Sequence, residues 1–332
     1  MVACFASTAA AQTGVVPSVL PTVGAEAAVD HRNVDAWLVR MHEASKRRAY
    51  IGTVVVSDGV NMASARIWHV CDGTQQIERV VTLTGAPRTT FRRNDQVVTF
   101  LPQSMVVLTE RRESLGLFPN LLRTGGAMVG QFYQSRLAGH ERVAGLEADV
   151  VLIEPRDRLR FGYRVWSDQS TGLVLKLQTL NGDGQVLEQV AFSELQLDAP
   201  VSLQKLARMM GNTDGYRIER VESQPTTASA EGWSVAHPVP GFKSVSCHKR
   251  PVVPPNGSAP ETAMQWVFSD GLATVSLFVQ PFDPGRQPAE GSTALGATHT
   301  LTRRHGAWWV TAVGEAPLPT LAAFVQGLER RR

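Results

Sequence analysis

From Tyr50 onward apolar residues recur at every second position, in runs that stop at short polar turns. Tyr50–Ser57 closes on Asp58-Gly59, Arg66–Val70 on Asp72-Gly73, Ile77–Leu83 on Gly85, and Phe91-Arg92 on Asn94-Asp95. Val97–Leu101 stops at Pro102, and Val106–Thr109 follows in the same style. A period of two puts successive side chains on opposite faces of a strand, and turns this short return the chain antiparallel. The pattern predicts an antiparallel meander. It resumes over Ala148–Glu154, Phe161–Asp168, Leu173–Leu180 and Leu187–Phe192, with turns at Ser170-Thr171-Gly172 and Asn181-Gly182-Asp183-Gly184. One sheet of about ten strands must curl or split to bury a face. A strongly curved sheet with helices over its concave side is the simplest solution.

Two segments supply such helices. Val34, Trp37, Leu38 and Met41 recur at i, i+3, i+4 and i+7, with Asn33 available as N-cap, which predicts an amphipathic helix with one buried stripe. Between strands, Leu115–Tyr133 carries Leu117, Phe118, Leu121, Leu122, Met128 and Phe132 around Gly125-Gly126. An apolar insertion broken by glycines is expected to form one or two short helices acting as a lid. In the strand that follows, Phe161, Tyr163 and Val165 share one face, with Arg164 and Trp166 on the other. Those three residues are candidates to line a cavity beneath the lid; core packing uses the same residue types.

The strand pattern fades over Ser202–Gly232, where a short helix through Leu203–Met210 gives way to GNTDG and SQPTTASAEG. These read as a polar linker. After Trp233 a second strand-rich unit begins, with the hairpin Gln265–Ser269 and Leu272–Val279 turning on Ser269-Asp270-Gly271. A Pro/Gly-rich loop is expected over Pro281–Gly296, strands near His299–Thr302 and Trp308–Val313, and a final helix over Leu318–Leu328. The divisions expected are a signal remnant or disordered tail (1–29), a sheet domain (30–205), a linker (206–232) and a small α+β domain (233–332).

Composition narrows the function classes. The chain has 332 residues, 43% hydrophobic and 19% charged, which describes a globular protein with ample core. The formal charge is +3 and the arginine pairs are scattered, without interleaved aromatics, which argues against nucleic-acid binding. No apolar run approaches the ~20 residues of a membrane helix. Ala9 and Ala11 before Gln12 resemble the end of a secretory signal, and Met-Val-Ala-Cys faintly resembles a lipoprotein box at Cys4. The cysteines, Cys4, Cys71 and Cys247, form no Cys-x-x-Cys pair, so Cys71 and Cys247 are expected to be free thiols.

Catalytic and metal motifs are missing. There is no Gly-x-Ser-x-Gly elbow or P-loop, and His42-Glu43 and His140-Glu141 lack a second histidine four residues on. Gly182-Asp183-Gly184 starts a dinucleotide fingerprint, but Leu187 stands at the third glycine position. In PRDRLR, Pro155–Arg160, the single carboxylate of Asp157 has no second carboxylate for acid/base work. The expectation is a binding protein with no cofactor, no metal and no catalytic residue.

Several stretches together resemble the MucB/RseB family, periplasmic regulators of the envelope-stress sigma factor in Gram-negative bacteria. They are AWLVRMHEASKRRAYIGTVVV, RIWHVCDG with LTGAPRTTFRRND, GHERVAGLEADVV, RFGYRVWSDQSTGLVLKLQTLNGDGQVLEQVAF, VPGF, FSDGLATVSLFVQ and VTAVGEAP. Thr84 and Thr89-Thr90 depart from the pattern, standing where acidic residues are expected.

The resemblance implies a periplasmic protein whose first domain is a half-open antiparallel β-barrel with a helical lid, similar to LolA and LolB. It implies binding to the periplasmic domain of a membrane-spanning anti-sigma factor of the RseA/MucA type. It further implies protection of that partner from proteolysis and release on sensing an acylated, lipid-type ligand. Self-association stays open. A periplasmic lipoprotein or lipid carrier is the alternative, for which the barrel alone would suffice. On the hairpin, Ala273, Val275, Leu277 and Val279 are expected to pack on the final helix. The corner Ser269, Asp270 and Gly271 is expected to be exposed, and with Thr274, Ser276 and Phe278 forms the candidate partner-binding set.

Overall fold

The computed structural model describes residues 34–111, 129–252, 261–285, 287 and 289–331. Of the expected lid, Leu117, Phe118, Leu121, Leu122 and Met128 lie outside the described residues, as does the 1–29 tail.

The chain begins with α1 (Val34–Arg47), whose stripe of Val34, Trp37, Leu38 and Met41 is buried as its spacing predicts. Asp35 in the first turn and Lys46 and Arg47 in the last complement the helix dipole. A meander follows: β1 (Tyr50–Ser57), β2 (Met62–Cys71), β3 (Gln76–Thr82), β4 (Thr89–Arg93), β5 (Gln96–Leu101) and β6 (Val106–Arg111). After the single turn α2 (Val129–Phe132) comes a second meander of β7 (Tyr133–Val143), β8 (Leu146–Pro155), β9 (Gly162–Asp168), β10 (Val174–Leu180) and β11 (Val186–Leu197). These strands join one twelve-stranded sheet with the order β12-β6-β5-β4-β3-β2-β1-β11-β10-β9-β8-β7, where β12 (Arg217–Val221) follows α3 (Leu203–Gly211).

β1 is the seam, pairing antiparallel with β2 on one side and β11 on the other. Bulges at Thr53/Val54, Val174/Lys176 and Leu137/Gly139 add local twist. α1 packs on Val151, Ile153, Tyr163, Val165 and Val174 of the β8–β10 half. On the other half, α3 sets Leu206 and Met210 against Ile77, Phe91, Phe100 and Val107. Ser202 caps α3, its Oγ accepting from the Lys205 amide at 3.2 Å.

Two strands beyond the expected ten complete the sheet. β7 is an edge strand whose outward residues include Arg136, His140 and Arg142, so its alternation reads as polar. β12 pairs parallel with β6 in the stretch expected to be linker. That stretch is instead a structured strap, since β13 (Gln224–Pro225) then pairs with the second sheet. Short edge strands with charged or polar residues carry little apolar periodicity, which is why composition alone suggests a linker.

The second unit contains β14 (Trp233–Val235), β15 (Lys243–Val252), β16 (Glu261–Ser269), β17 (Thr274–Pro281), β18 (Gly291–Leu295), β19 (Thr298–His305), β20 (Trp308–Gly314), α4 (Leu318–Gly327) and β21 (Leu328–Arg330). Seven strands form a sheet in the order β13-β15-β16-β17-β20-β19-β18. β18 lies inside the expected Pro/Gly-rich loop and pairs with β19 as a hairpin. Ala273, Val275, Leu277 and Val279 are buried in one core with Leu321, Phe324 and Val325 of α4, as alternation along β17 requires.

Candidate functional site

The corner joining β16 and β17 is built by its own side chains. Ser269 Oγ donates to the Ala273 carbonyl at 2.8 Å and accepts from the Gly271 amide at 3.0 Å. Asp270 Oδ1 accepts from the amides of Leu272 and Ala273 at 3.0 and 2.8 Å. Gly271 takes φ 104°, a conformation that favours glycine.

This corner is not exposed, contrary to the sequence expectation. Ser269, Asp270 and Leu272 are buried, because the hairpin tip inserts into the first domain. Leu272 packs in the same apolar cluster as Val129, Tyr133, Tyr163 and Val165. A Cβ on Gly271 would lie 2.8 Å from Val129 Cγ2, so the tip approaches α2 as closely as a glycine allows.

An ionic latch fixes the insertion. Asp270 Oδ2 accepts from Arg160 Nε at 2.7 Å and from the Tyr133 hydroxyl at 2.9 Å. The remaining guanidinium nitrogens of Arg160 donate to Asp157 Oδ2 and to the Pro240 carbonyl. The guanidinium carbon also lies 4.3 Å from the Phe132 ring centre and 5.1 Å from that of Phe242. One side chain therefore ties the β8–β9 loop and α2 of the first domain to two segments of the second. Burial, and then the neighbouring Tyr163 and Asp270, push the Tyr133 hydroxyl well above its ordinary range, so it stays a neutral donor.

Flanking contacts extend the seam. Thr320 Oγ1 donates to the Leu159 carbonyl at 2.6 Å, and Phe161 packs against His299 with ring centres 5.6 Å apart. The Ala297 amide donates to Glu188 Oε2 at 3.5 Å. Further along, a cleft of about 510 Å³ opens between Asp95, Glu110 and Arg111 of the first domain and Ser246, His248 and Arg250 of the second. Arg250 and Glu110 approach to 3.9 Å across it.

The structure thus brings together two residue sets that the sequence keeps apart. Phe132, Phe161, Tyr163 and Val165, expected around a lipid cavity, meet Asp270 and Gly271, expected at a partner surface, or lie along the same seam. Tyr163 and Val165 are covered by α1 and Leu272. Elsewhere in β17, Thr274 is buried while Ser276 and Phe278 are half-buried. Arg160 was not legible as a site residue, and Tyr133 was legible only as the last apolar residue of the expected lid segment. The charged turn Pro155–Arg160 was visible, but nothing in it distinguishes a buried arginine from a solvated one. Cys71 and Cys247 are free thiols, and burial, then the nearby Glu231, pushes Cys247 up to about 11. Among the described residues no helix is long and apolar enough to cross a membrane.

Known proteins share this two-domain arrangement. Residues 33–210 match the family model for the MucB/RseB N-terminal domain, and residues 227–329 that for the MucB/RseB C-terminal domain. The sigma factor AlgU regulatory protein MucB of Pseudomonas aeruginosa is 29% identical over 290 residues, covering 86% of this chain and 87% of that protein. A crystal structure of MucB in complex with MucA(peri) superposes with a TM-score of 0.68 at 25% identity, covering 90% of this chain and 98% of its own. The complex of Pseudomonas aeruginosa MucA and MucB gives 0.69 at 25% identity, covering 90% and 99%. With both domain models matched in order and the fold shared over 90% of the chain, the chain belongs to the MucB/RseB family.

Proposed function

We propose that this protein is a negative regulator of an envelope-stress sigma factor, acting in the periplasm on a membrane-spanning anti-sigma factor. It binds the periplasmic domain of that partner and shields it from the protease that makes the first cut. The work is binding, not catalysis. The observation that carries this reading is the likeness, through both domains, to MucB in its complex with MucA(peri).

The interdomain seam supplies a physical route for control. A partner that touches both domains depends on their relative placement, which Arg160, Asp270 and Leu272 fix. Leu272 sits beside Tyr163 and Val165, the residues expected to line the lipid site. An acyl chain entering there displaces the tip, gaining roughly 0.8 kcal/mol per buried CH₂. It releases the partner only to the extent that it binds the free form more tightly than the complex. The test mixes this protein with the periplasmic domain of its organism's anti-sigma factor and follows cleavage by the first-cut protease. Slowed cleavage supports the reading. Unchanged cleavage together with lipid co-purifying from the periplasm supports a carrier instead.

A further inference from the structure

Among the described residues nine large apolar side chains are exposed, and six of them stand at one rim of the first sheet: Val56, Val60, Met62, Leu83, Val186 and Leu295. The register explains why they meet. Ser57, at the end of β1, pairs with Met62 of β2 and Gln189 of β11, so Val60 tips the turn between β1 and β2 while Val186 starts β11 on the same side. The Leu83 amide donates to the Ser64 carbonyl at 2.8 Å, which sets the β3–β4 turn beside the β1–β2 turn. β11, β1, β2 and β3 are neighbours in the sheet, so these ends span an arc of about 14 Å at ordinary strand spacing. Leu295 joins them from the second domain. On the residue after it, a Cβ on Gly296 would lie 3.1 Å from Asp58 Cβ.

Nothing in the folding of these turns asks for large apolar side chains. Asp58 and Gly59 shape the first: Asp58 Oδ1 accepts from the amides of Val60 and Asn61 at 3.0 and 2.6 Å, and Gly59 takes φ 87°. Val60 is nonetheless 92% and Met62 73% exposed, a clustering that marks a docking surface rather than scattered surface residues. The carboxylates beside them are engaged, Asp58 within its own turn and Glu188 by the Ala297 amide at 3.5 Å. The tips stand on separate hairpins and project singly. A folded partner needs a matching pocket for each, whereas a fluid apolar phase accepts them all, and its hold grows with the apolar area buried. Val56 shares a face with Tyr50 and Val54, so the rim runs into the concave face of the sheet. We infer that this rim docks on the surface of a phospholipid bilayer, seating the β1–β2, β3–β4, β10–β11 and β18–β19 turns among the head groups and upper acyl chains. On the function proposed above, on which this step rests, an acyl chain then passes from the bilayer to the concave face without crossing water.

Flotation of the full chain with vesicles of phosphatidylethanolamine and phosphatidylglycerol tests this, since protein that merely holds an extracted lipid stays in the dense fraction. The wild-type protein is expected to float at low and high salt alike, because the contact is apolar rather than ionic. Val60→Asp combined with Leu83→Asp is expected to lower partition onto the vesicles about tenfold or more. Val39→Asp, exposed on α1, is expected to leave it unchanged. If the double variant does not fold, Val60→Asp alone decides, with a loss of about threefold or more expected. Binding of the anti-sigma factor's periplasmic domain, measured without vesicles, is expected to be equal in the wild-type protein and the double variant. A wild-type protein that does not float, or a double variant that floats as well as it does, overturns the bilayer assignment. So does a double variant that loses the domain, or one that breaks up a wild-type dimer seen by sedimentation while neither protein floats; the rim is then a protein interface. Failure of the wild-type protein to bind the domain overturns the proposed function and, with flotation intact, leaves the bilayer contact standing.

Discussion

Arg160 Nε lies 2.7 Å from Asp270 Oδ2, with both side chains out of reach of solvent and each in a different domain. A buried pair of this kind is weak evidence for net stabilisation, but removing one member leaves an uncompensated charge in a low-dielectric site. Arg160→Met is therefore expected to lower stability by about 3–5 kcal/mol. Arg160→Met combined with Asp270→Leu should recover part of that loss, since no charge is then stranded. Urea unfolding of the two variants checks this; equal stabilities would mean that the pair does not couple the domains.

Gly271→Ala tests the fit of the tip without touching the charges. The residue sits at φ 104°, and a Cβ there would lie 2.8 Å from Val129 Cγ2. The expected cost is of the order of 1–3 kcal/mol from the backbone conformation, with the contact adding to it. Because the strain falls on the seam, its relief is separation of the domains. Small-angle scattering should show a larger radius of gyration with an unchanged far-ultraviolet circular dichroism spectrum. An unchanged radius would place the strain within the hairpin.

Much of the first domain was legible because its inner strands alternate cleanly: Tyr50, Gly52 and Val54 of β1 face the core while their neighbours are more exposed. The stripe of α1 was equally clear. What stayed hidden lies at edges and seams. β7 and β12 are edge strands whose charged residues face solvent, and β18 has no residue that is fully buried. The corner Ser269-Asp270-Gly271 has the composition of a solvated turn, yet its carboxylate is neutralised by an arginine 110 residues away in sequence. Local pattern identifies a turn; it does not tell whether another domain covers it. For that reason two residue sets assigned to separate sites prove to share a seam.

Glu78 makes stability depend on pH in a direction opposite to the usual carboxylate. It is half-buried opposite His69 on β2 and Arg92 on β4, and Tyr50 stacks on His69 with ring centres 4.9 Å apart. Burial raises the carboxyl from 4.5 to about 7, opposed in part by the Arg92 charge. Between those values the folded state holds a proton that the unfolded state has lost, so stability falls as pH rises through the window. His69 is shifted down, by burial first and against its hydrogen bond to the Arg48 carbonyl, and costs stability at the acid end. Glu78→Gln isolates the carboxyl. Relative to wild type, it should gain stability progressively from pH 5 to pH 8 in thermal melts at several pH values. A difference between the two proteins that does not vary with pH would show that Glu78 titrates normally.

Leu272 is the natural occupant of the apolar cluster that holds Tyr163 and Val165. Truncating it to alanine removes buried methyl groups and leaves space, at a cost of about 2–5 kcal/mol. If an acyl chain and the hairpin tip compete for one site, the chain must first pay for displacing Leu272 in the wild-type protein and much less in the variant. Leu272→Ala should therefore bind a single-chain probe such as laurate more tightly than wild type, by calorimetry below the micellar range. Laurate should in turn increase the radius of gyration of the wild-type protein, as Gly271→Ala is expected to do without ligand. The same addition should weaken binding of the anti-sigma factor's periplasmic domain, because linkage makes the two effects reciprocal. Equal laurate affinity in Leu272→Ala and wild type would separate the ligand site from the hairpin tip. Tighter laurate binding with no loss of partner affinity would mean that the seam does not control the grip.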